Sequence, residues 1–479
     1  MRTTSLSNPR THLAALVVLC AATTMTVLDE TVVNVAIPSI RADLGFGQHE
    51  LSWVVNAYLV SFGSLLLLAG RVGDLIGRRQ VLLAGLTLFT AASLACGLAP
   101  SAGVLVSARF AQGAGAALAS SVALGMIVSL YDDAAGRARA IAVYAFMASA
   151  GASTGLFLGG IVTDVAGWRW AFFLNVPVGI AMRLVGGRVL PREGGPGLRA
   201  GADHVSGVLL VAGVATTILA VVDPTRRIAA VPAVLLLAGF ALRQLRAERP
   251  LLPLAVLRSR AVIGANLVLA LLGGSMLGFQ FLITLYLQNI LGYSPAQAGS
   301  AILPIPLGIG ALSLLGYPVL SRRVGPRALI VPGMLTVAIG MTWLVFTPTH
   351  GHYAGDVLPS MVLFAVGGGV AIPAIMTTAM SETTADAAGV SSGLLNTSQQ
   401  IGSAIGLAVL SSIAVATTSQ LMTRGRGADA ATVGGYHVAW ACGAALLAVA
   451  TGIAAVTLRR PTTLEHASTE RDVHSQIVQ

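Results

Sequence analysis

The sequence predicts an all-α integral membrane protein that crosses the bilayer fourteen times, and three observations predict it. First, 55% of the 479 residues are apolar and only 10% are charged, with a mean hydropathy of +0.81; soluble domains carry roughly one-quarter charged residues. Second, the apolar residues come in repeated runs of about 18 to 25, the length that crosses a hydrocarbon core as a helix. Third, these runs are too long and too uniformly apolar for the alternation of a barrel strand. In lipid every backbone group needs an internal partner, so helices are the viable spans.

Taken in order, the first seven predicted spans cover 12–37, 51–69, 80–99, 103–129, 139–162, 168–188 and 205–222. The next seven cover 228–245, 261–288, 299–320, 328–346, 357–380, 393–417 and 434–457. The first run follows Arg2 and Arg10 as a signal peptide would, yet it continues to Pro38 without a small-residue cleavage site and is read as a retained span. An even count puts both termini on one side. With the termini in the cytoplasm, only Arg41, Arg169, Arg226, Arg227, Arg424 and Arg426 fall outside. Arg109 falls within a span, and the other 22 of the 29 arginines lie inside, as the positive-inside rule requires.

The net charge of +10 therefore reads as a topology signal in short loops and not as a nucleic-acid surface. Every basic residue is Arg, which says nothing about a substrate. Cys20, Cys96 and Cys442 stand singly in apolar segments, indicating neither a disulfide framework nor a metal site. The eight His lie at span ends, loops or tails without ligand spacing, so catalysis is not expected and no cofactor is implied. A chain without Lys has no nucleotide-binding G-x-x-x-x-G-K-[ST] loop. Gly77-Arg78-Arg79 and Gly325-Pro326-Arg327 open spans 3 and 11 alike, a faint sign of two similar halves with spans 7 and 8 inserted between them.

Gly70-Arg71-Val72-Gly73-Asp74-Leu75-Ile76-Gly77-Arg78-Arg79 resembles the signature loop between spans 2 and 3 of the major facilitator superfamily. Leu28-Asp29-Glu30-Thr31-Val32-Val33-Asn34-Val35-Ala36-Ile37-Pro38 resembles the span 1 motif of its fourteen-span drug:proton antiporters. Arg109-Phe110-Ala111-Gln112-Gly113-Ala114-Gly115 is similar to their span 4 motif, and Gly151 to Gly160 occupies the place of their span 5 antiporter motif. Gly167-Trp168-Arg169-Trp170, Asn175-Val176-Pro177, Tyr286-Leu287-Gln288 and Gly292-Tyr293-Ser294 are also typical of that family. The resemblance implies the major facilitator fold, two six-helix bundles plus two inserted helices. Residues 1–190 would form the first bundle, 191–260 a linker with the extra pair, 261–460 the second bundle and 461–479 a cytoplasmic tail. It also implies Gly70, Arg71, Gly73, Asp74, Gly77, Arg78 and Arg79 as a conformational latch; from spacing alone they read as a solvated positive-inside loop with Asp74 free to cap or pair.

Of the nineteen acidic residues only Asp29 and Glu30 fall well inside a span, and an ionisable group there is a functional hypothesis by default. Counting rise from the span ends puts Asp29 and Arg109 at roughly 13 and 10 Å below the outer surface. They can meet if spans 1 and 4 are neighbours, and in the family resembled those spans line the central cavity. Desolvation favours the protonated form of a buried carboxyl and a nearby cation the ionised form, so such a pair can exchange a proton; a plain packing ion pair is the alternative. Glu30 lies about 100° round the helix from Asp29. Asp29 holds the family's acidic position, leaving Glu30 auxiliary. Asn34, Asn56, Tyr58, Gln112 and Gln280 are candidate polar cavity residues, or simply satisfy helix contacts. Gly151, Gly155 and Gly159, widened by Gly160, form a smooth stripe for close helix approach. Leu156 stands where the family motif has Pro, which removes any hinge that depends on a missing backbone donor.

The expectation is a monomeric exporter in the cytoplasmic (inner) membrane, multi-pass with both termini cytoplasmic. Its partners would be the lipid bilayer and a hydrophobic small-molecule substrate, with the proton as coupling ion and no metal or nucleic acid. The alternative is a proton-coupled importer of a small organic solute on the same fold.

Overall fold

The computed structural model describes residues 9–47, 50–131, 134–191, 197, 203–247, 259–381 and 388–458. The expected tail 461–479 and parts of the linker, 198–202 and 248–258, lie outside the described residues. The apolar runs are helices, as the absence of backbone partners in lipid dictates. In the first half they are α1 (Pro9–Leu44), α2 (Trp53–Ile76), α3 (Arg78–Gly97), α4 (Ala102–Leu130), α5 (Ala134–Ala166), α6 (Trp168–Val189) and α7 (His204–Val222). The second half holds α8 (Ala230–Arg246), α9 (Arg260–Ile290), α10 (Pro295–Val324), α11 (Pro326–Trp343), α12 (Leu358–Ser381), α13 (Ala388–Thr423) and α14 (Ala428–Thr457). Among the described residues twelve helices are long and apolar enough to cross a membrane. The other two predicted spans are helical as well. In α5 the apolar helix counted is Ala150–Ala166, and α8 has 17 residues and ends on Arg243 and Arg246.

Two details differ from the sequence reading. Helices α1, α5 and α13 outrun their apolar segments at both ends, because helical hydrogen bonding does not stop where the hydrocarbon does. Spans 6 and 10 were expected to be continuous, but α6 breaks at Leu174 and α10 at Leu303, each within three residues of a proline that cannot donate to the preceding turn. The α10 helix also widens into a looser turn over Leu312–Gly316, as α9 does over Tyr286–Ile290.

The packing falls into two groups with the same plan. In the first, α1 packs on α5 and α6, α4 on α2 and α3, and α3 on α6. In the second, α9 packs on α13 and α14, α12 on α10 and α11, and α11 on α14. Adding eight to each helix number of the first set generates the second. Across the seam α5 meets α10 and α2 meets α13, again an equivalent pair. The short sequence echo has a structural basis: Gly77 (φ +102°) and Gly325 (φ +82°) each end one helix and start the next, in a backbone conformation that favours glycine. Helix α7 lies against both α2 and α13, so it straddles the seam, and α8 packs on α7. The α7–α8 hairpin is clasped by Asp203, which accepts from Ser206 N and from Arg243 Nε at 2.7 Å, while Gln244 Nε2 donates to Ser206 Oγ. Partial burial works against the Asp203 carboxylate, but Ser206 and Arg243 together hold it below the ordinary aspartate range.

Close approach is made by glycine at equivalent crossings. A Cβ on Gly155 would stand 2.0 Å from Thr31 Oγ1 of α1, and one on Gly402 would stand 2.3 Å from the Ala270 carbonyl of α9. Backbone cannot yield as a side-chain end can. Gly402→Ala is expected to lower stability by about 1–3 kcal/mol through overpacking. Gly452→Ala, with nothing within 4 Å, should leave stability unchanged or raise it by up to about 1 kcal/mol, since alanine suits a helix interior better than glycine. Thermal unfolding of the purified protein in detergent measures both; equal stability of the two variants would refute the tight α9–α13 crossing.

Candidate functional site

Helices α1, α2, α3, α4 and α6 meet around one charge pair. Arg109 on α4 and Asp29 on α1 face each other with Nη1 to Oδ2 at 2.5 Å, and their side chains are 0% and 1% exposed. Expectation from depth along the two spans and the position found here agree. A buried ion pair persists only when its remaining donors and lone pairs are met. Asp29 Oδ1 accepts from Gln112 Nε2 and from Asn175 Nδ2, both at 2.7 Å. Gln112 lies one helical turn beyond Arg109, so its Oε1 also accepts from Arg109 Nη1 at 2.7 Å while Nε2 donates to Ser93 Oγ on α3 at 2.8 Å. Arg109 Nε donates to the Val54 carbonyl of α2 at 2.9 Å. The Tyr58 ring lies 4.4 Å from the guanidinium carbon and the Phe172 ring 5.8 Å, which adds cation–π attraction in a desolvated setting. Nη2 alone lacks a hydrogen bond among the described residues.

Glycine permits this convergence. A Cβ on Gly113 would stand 2.2 Å from both Ser61 Oγ and the Tyr58 carbonyl, so α4 lies directly on α2 one residue past Gln112. Helical hydrogen bonding in α6 is interrupted at Leu174, which keeps helical φ and ψ, and the next residue, Asn175, turns its side chain to Asp29. Asn175, Ser93, the Val54 carbonyl and Phe172 were not singled out as site residues from sequence. Asn175 carried a signal, standing in the Asn-Val-Pro stretch beside the helix-breaking Pro177. Cys96, read as a packing residue, lies 3.6 Å from Gln112 Oε1.

The remaining expected site residues are placed as follows. Glu30 is half-buried, and its carboxylate makes no hydrogen bond or ion pair among the described residues. Gln112 sits inside the network with no exposed surface, and Tyr58 is stacked on Arg109 and donates to the Thr26 carbonyl at 3.4 Å. Asn34 is buried with Nδ2 on its own helix's Glu30 carbonyl, and Asn56 is buried with neither amide atom bonded. Gln280, on α9, is half-buried. Gly151, Gly155 and Gly159 lie against Thr24, Leu28, Thr31 and Val32 of α1, whereas Gly160 faces Pro295 and Ala296 of α10 across the seam. Leu156, in the usual proline position, presents its carbonyl to Gly299 of α10.

The segment Gly70–Arg79, read from sequence as a loop, is helical except at Gly77, because α2 runs on to Ile76 and α3 starts at Arg78, and its arginines are fastened within the first bundle. Exposed Asp74 pairs with Arg78 at 3.6 Å. Arg78 Nη1 donates to the Gly125 carbonyl of α4 at 3.4 Å, and Arg79 Nη2 donates to the Gly187 carbonyl of α6. Gly73 admits Val122 of α4, which would lie 2.5 Å from a Cβ there; Gly70 has only Ser121 nearby, at 3.9 Å. Arg71 is exposed, and Gly77 bends the chain between α2 and α3.

Against this geometry the comparisons with known proteins are specific. The family model described as Major Facilitator Superfamily matches residues 19–407. The puromycin resistance protein pur8 of Streptomyces alboniger is 37% identical over 447 residues, covering 90% of this chain and 89% of that protein. The cephamycin export protein CmcT of Amycolatopsis lactamdurans is 38% identical over 424 residues, with 86% and 87% covered. The multidrug resistance protein Stp of Mycobacterium tuberculosis is 34% identical, with 86% and 77% covered. Among solved structures, an inward-facing bacterial homologue of the human lysosomal transporter Spinster superposes with a TM-score of 0.68 at 17% identity, covering 95% of this chain and 98% of that one. That last likeness bears on the fold alone.

The network makes a prediction about stability. Asp29→Asn leaves a buried guanidinium without its counter-charge and is expected to cost about 3–5 kcal/mol, as is Arg109→Gln. Combining them removes both charges, so the double variant should be more stable than the sum of the single losses by about 1–3 kcal/mol. Thermal unfolding in detergent across the four proteins gives the coupling; strictly additive losses would mean that the pair does not interact as drawn.

Proposed function

The chain belongs to the Major Facilitator Superfamily, and from that premise we propose that it exports lipophilic or cationic drugs across the cytoplasmic membrane, driven by inward proton flow. Two kinds of support converge: relatives at 34–38% identity carry the names of resistance and export proteins, and the first bundle holds a sealed carboxylate–guanidinium pair. The single observation that carries the reading is the Asp29–Arg109 contact at 2.5 Å with no exposed surface. An ion pair at that depth is costly to keep and is retained where charge movement is used.

In this reading Asp29 is the proton carrier. As a carboxylate it accepts from three side chains; as a neutral acid it would release Arg109, whose other links run to α2 and, through Gln112, to α3. Protonation thereby loosens a junction of five helices and favours a rearranged bundle, which is the alternating-access step. Glu30 is an auxiliary acid, and half-buried Gln280 is retained as a cavity residue. The chain is taken to cross the membrane fourteen times with both termini cytoplasmic, using the bundle and linker boundaries given above, and to work as a monomer. Asp74 and its loop act as the latch.

The test is paired. A drug-sensitive host carrying the gene should tolerate higher concentrations of several lipophilic antibiotics, and everted membrane vesicles with an acidic lumen, from which protons flow outward, should accumulate the same compounds. Accumulation only in right-side-out vesicles would establish the importer reading instead. Asp74→Asn should reduce vesicle transport several-fold while unfolding within about 0.5 kcal/mol of the original protein, because an exposed pair adds little stability. Unchanged transport by that variant would return the loop to a topology signal.

A further inference from the structure

At the end of the second bundle remote from the amino terminus, a cavity of about 280 Å³ is lined by Trp343, Phe346, Thr347 and Asp356. None of these residues belongs to the Asp29–Arg109 network. Trp343 and Phe346 close α11 and the turn after it, 46% and 79% exposed, just before the polar segment Pro348–His352. That is the headgroup level, where aromatic side chains gather.

Asp356 faces them from the start of the next helix. Its Oδ2 accepts from the His352 amide at 2.7 Å, which fixes the carboxylate, while Oδ1 has no hydrogen bond among the described residues. No ion pair to Asp356 exists among the described residues, in a chain with ten more positive than negative charges. The wall behind is rigid: Tyr286 donates to the Pro348 carbonyl at 2.7 Å, and His437 Nε2 donates to the Thr347 carbonyl at 2.7 Å.

We propose that this cavity binds a small alkylammonium group, its charge paired with Asp356 Oδ1 and its methyl or methylene surface against Trp343 and Phe346. A fixed carboxylate beside aromatic side chains is the combination that recognises quaternary ammonium ions. A Mg²⁺-like cation would require several more oxygen ligands, and an apolar ligand would leave the carboxylate oxygen unmet. The same chemistry occurs in soluble organic cations and in choline headgroups of lipids. The site is independent of the export reading, since it needs no transport to be occupied.

The experiment uses full-length protein carrying 5-fluorotryptophan, in neutral detergent. Of the five tryptophan ¹⁹F signals, Trp343 is the one missing from Trp343→Phe. Tetramethylammonium chloride, against sodium chloride at equal ionic strength, should shift that signal saturably. Asp356→Asn keeps an acceptor for the His352 amide, so the loop is preserved, and it should weaken binding roughly tenfold or more. Phe346→Leu should weaken it several-fold. In nanodiscs without added cation, a Trp343 signal that differs between phosphatidylcholine and phosphatidylglycerol, and only when Asp356 is present, assigns the site to a lipid headgroup. No difference, together with a saturable tetramethylammonium shift, assigns it to soluble cations. Absence of a shift in both arms, or an equal shift in Asp356→Asn, overturns the proposal and leaves Trp343 and Phe346 as interfacial anchors.

Discussion

A guanidinium and a carboxylate with no exposed surface can coexist inside a membrane bundle only if protein groups replace the water they have lost. Asp29 and Arg109 meet that requirement by drawing on five helices, and most of the first bundle can be read as its consequence. Gln112 has to sit one turn from Arg109, Asn175 has to face inward from α6, and Val54 has to offer a carbonyl from α2. Small residues let the backbones come close enough for this, most plainly at Gly113 against Tyr58 and Ser61. The network is therefore a junction as well as a charge site. Asp29 thereby ties α1 to α4 and α6 directly, and Arg109 and Gln112 extend the links to α2 and α3.

The second bundle repeats the packing plan but not the charges. Its α9–α13 crossing is built on Gly402 and Gly406 against Ala270 and Gly274, as α1–α5 is built on Gly151, Gly155 and Gly159. On α9, the counterpart of α1, Phe279 stacks on Phe364 of α12 with ring centroids 4.2 Å apart. The inserted hairpin lies where α2 and α13 meet and is clasped by Asp203, Arg243, Ser206 and Gln244. It thereby covers one side of the seam.

Much of this was legible in the sequence, for identifiable reasons. The apolar runs are helical among the described residues because lipid leaves the backbone no alternative, and twelve of those helices are long and apolar enough to span. Asp29 and Arg109 stood out because charge within an apolar run is rare, and depth counting brought them together. The Gly77 and Gly325 echo was real because both positions need a positive φ. Asn175 and Ser93 were not singled out for the site because a lone polar residue in a span reads the same whether it bonds its own helix or another. Gln112, read as a cavity residue, could be placed in the network only by knowing which helix it faces. The carbonyl of Val54 has no sequence signature at all. The interruptions at Leu174 and Leu303 had their signal in the neighbouring prolines, but that the helix resumes at the next residue was not legible.

The central claim is that Asp29 carries the exchanged proton, and substrate-induced proton release in reconstituted vesicles tests it most directly. The original protein should release protons when a transported drug is added. Asp29→Asn, first checked to retain drug binding, should release none and should fail to accumulate drug against a gradient. Undiminished release from Asp29→Asn would contradict the account, placing the proton on another group, with Glu30 the nearest acid in sequence, and leaving Asp29 as the structural partner of Arg109.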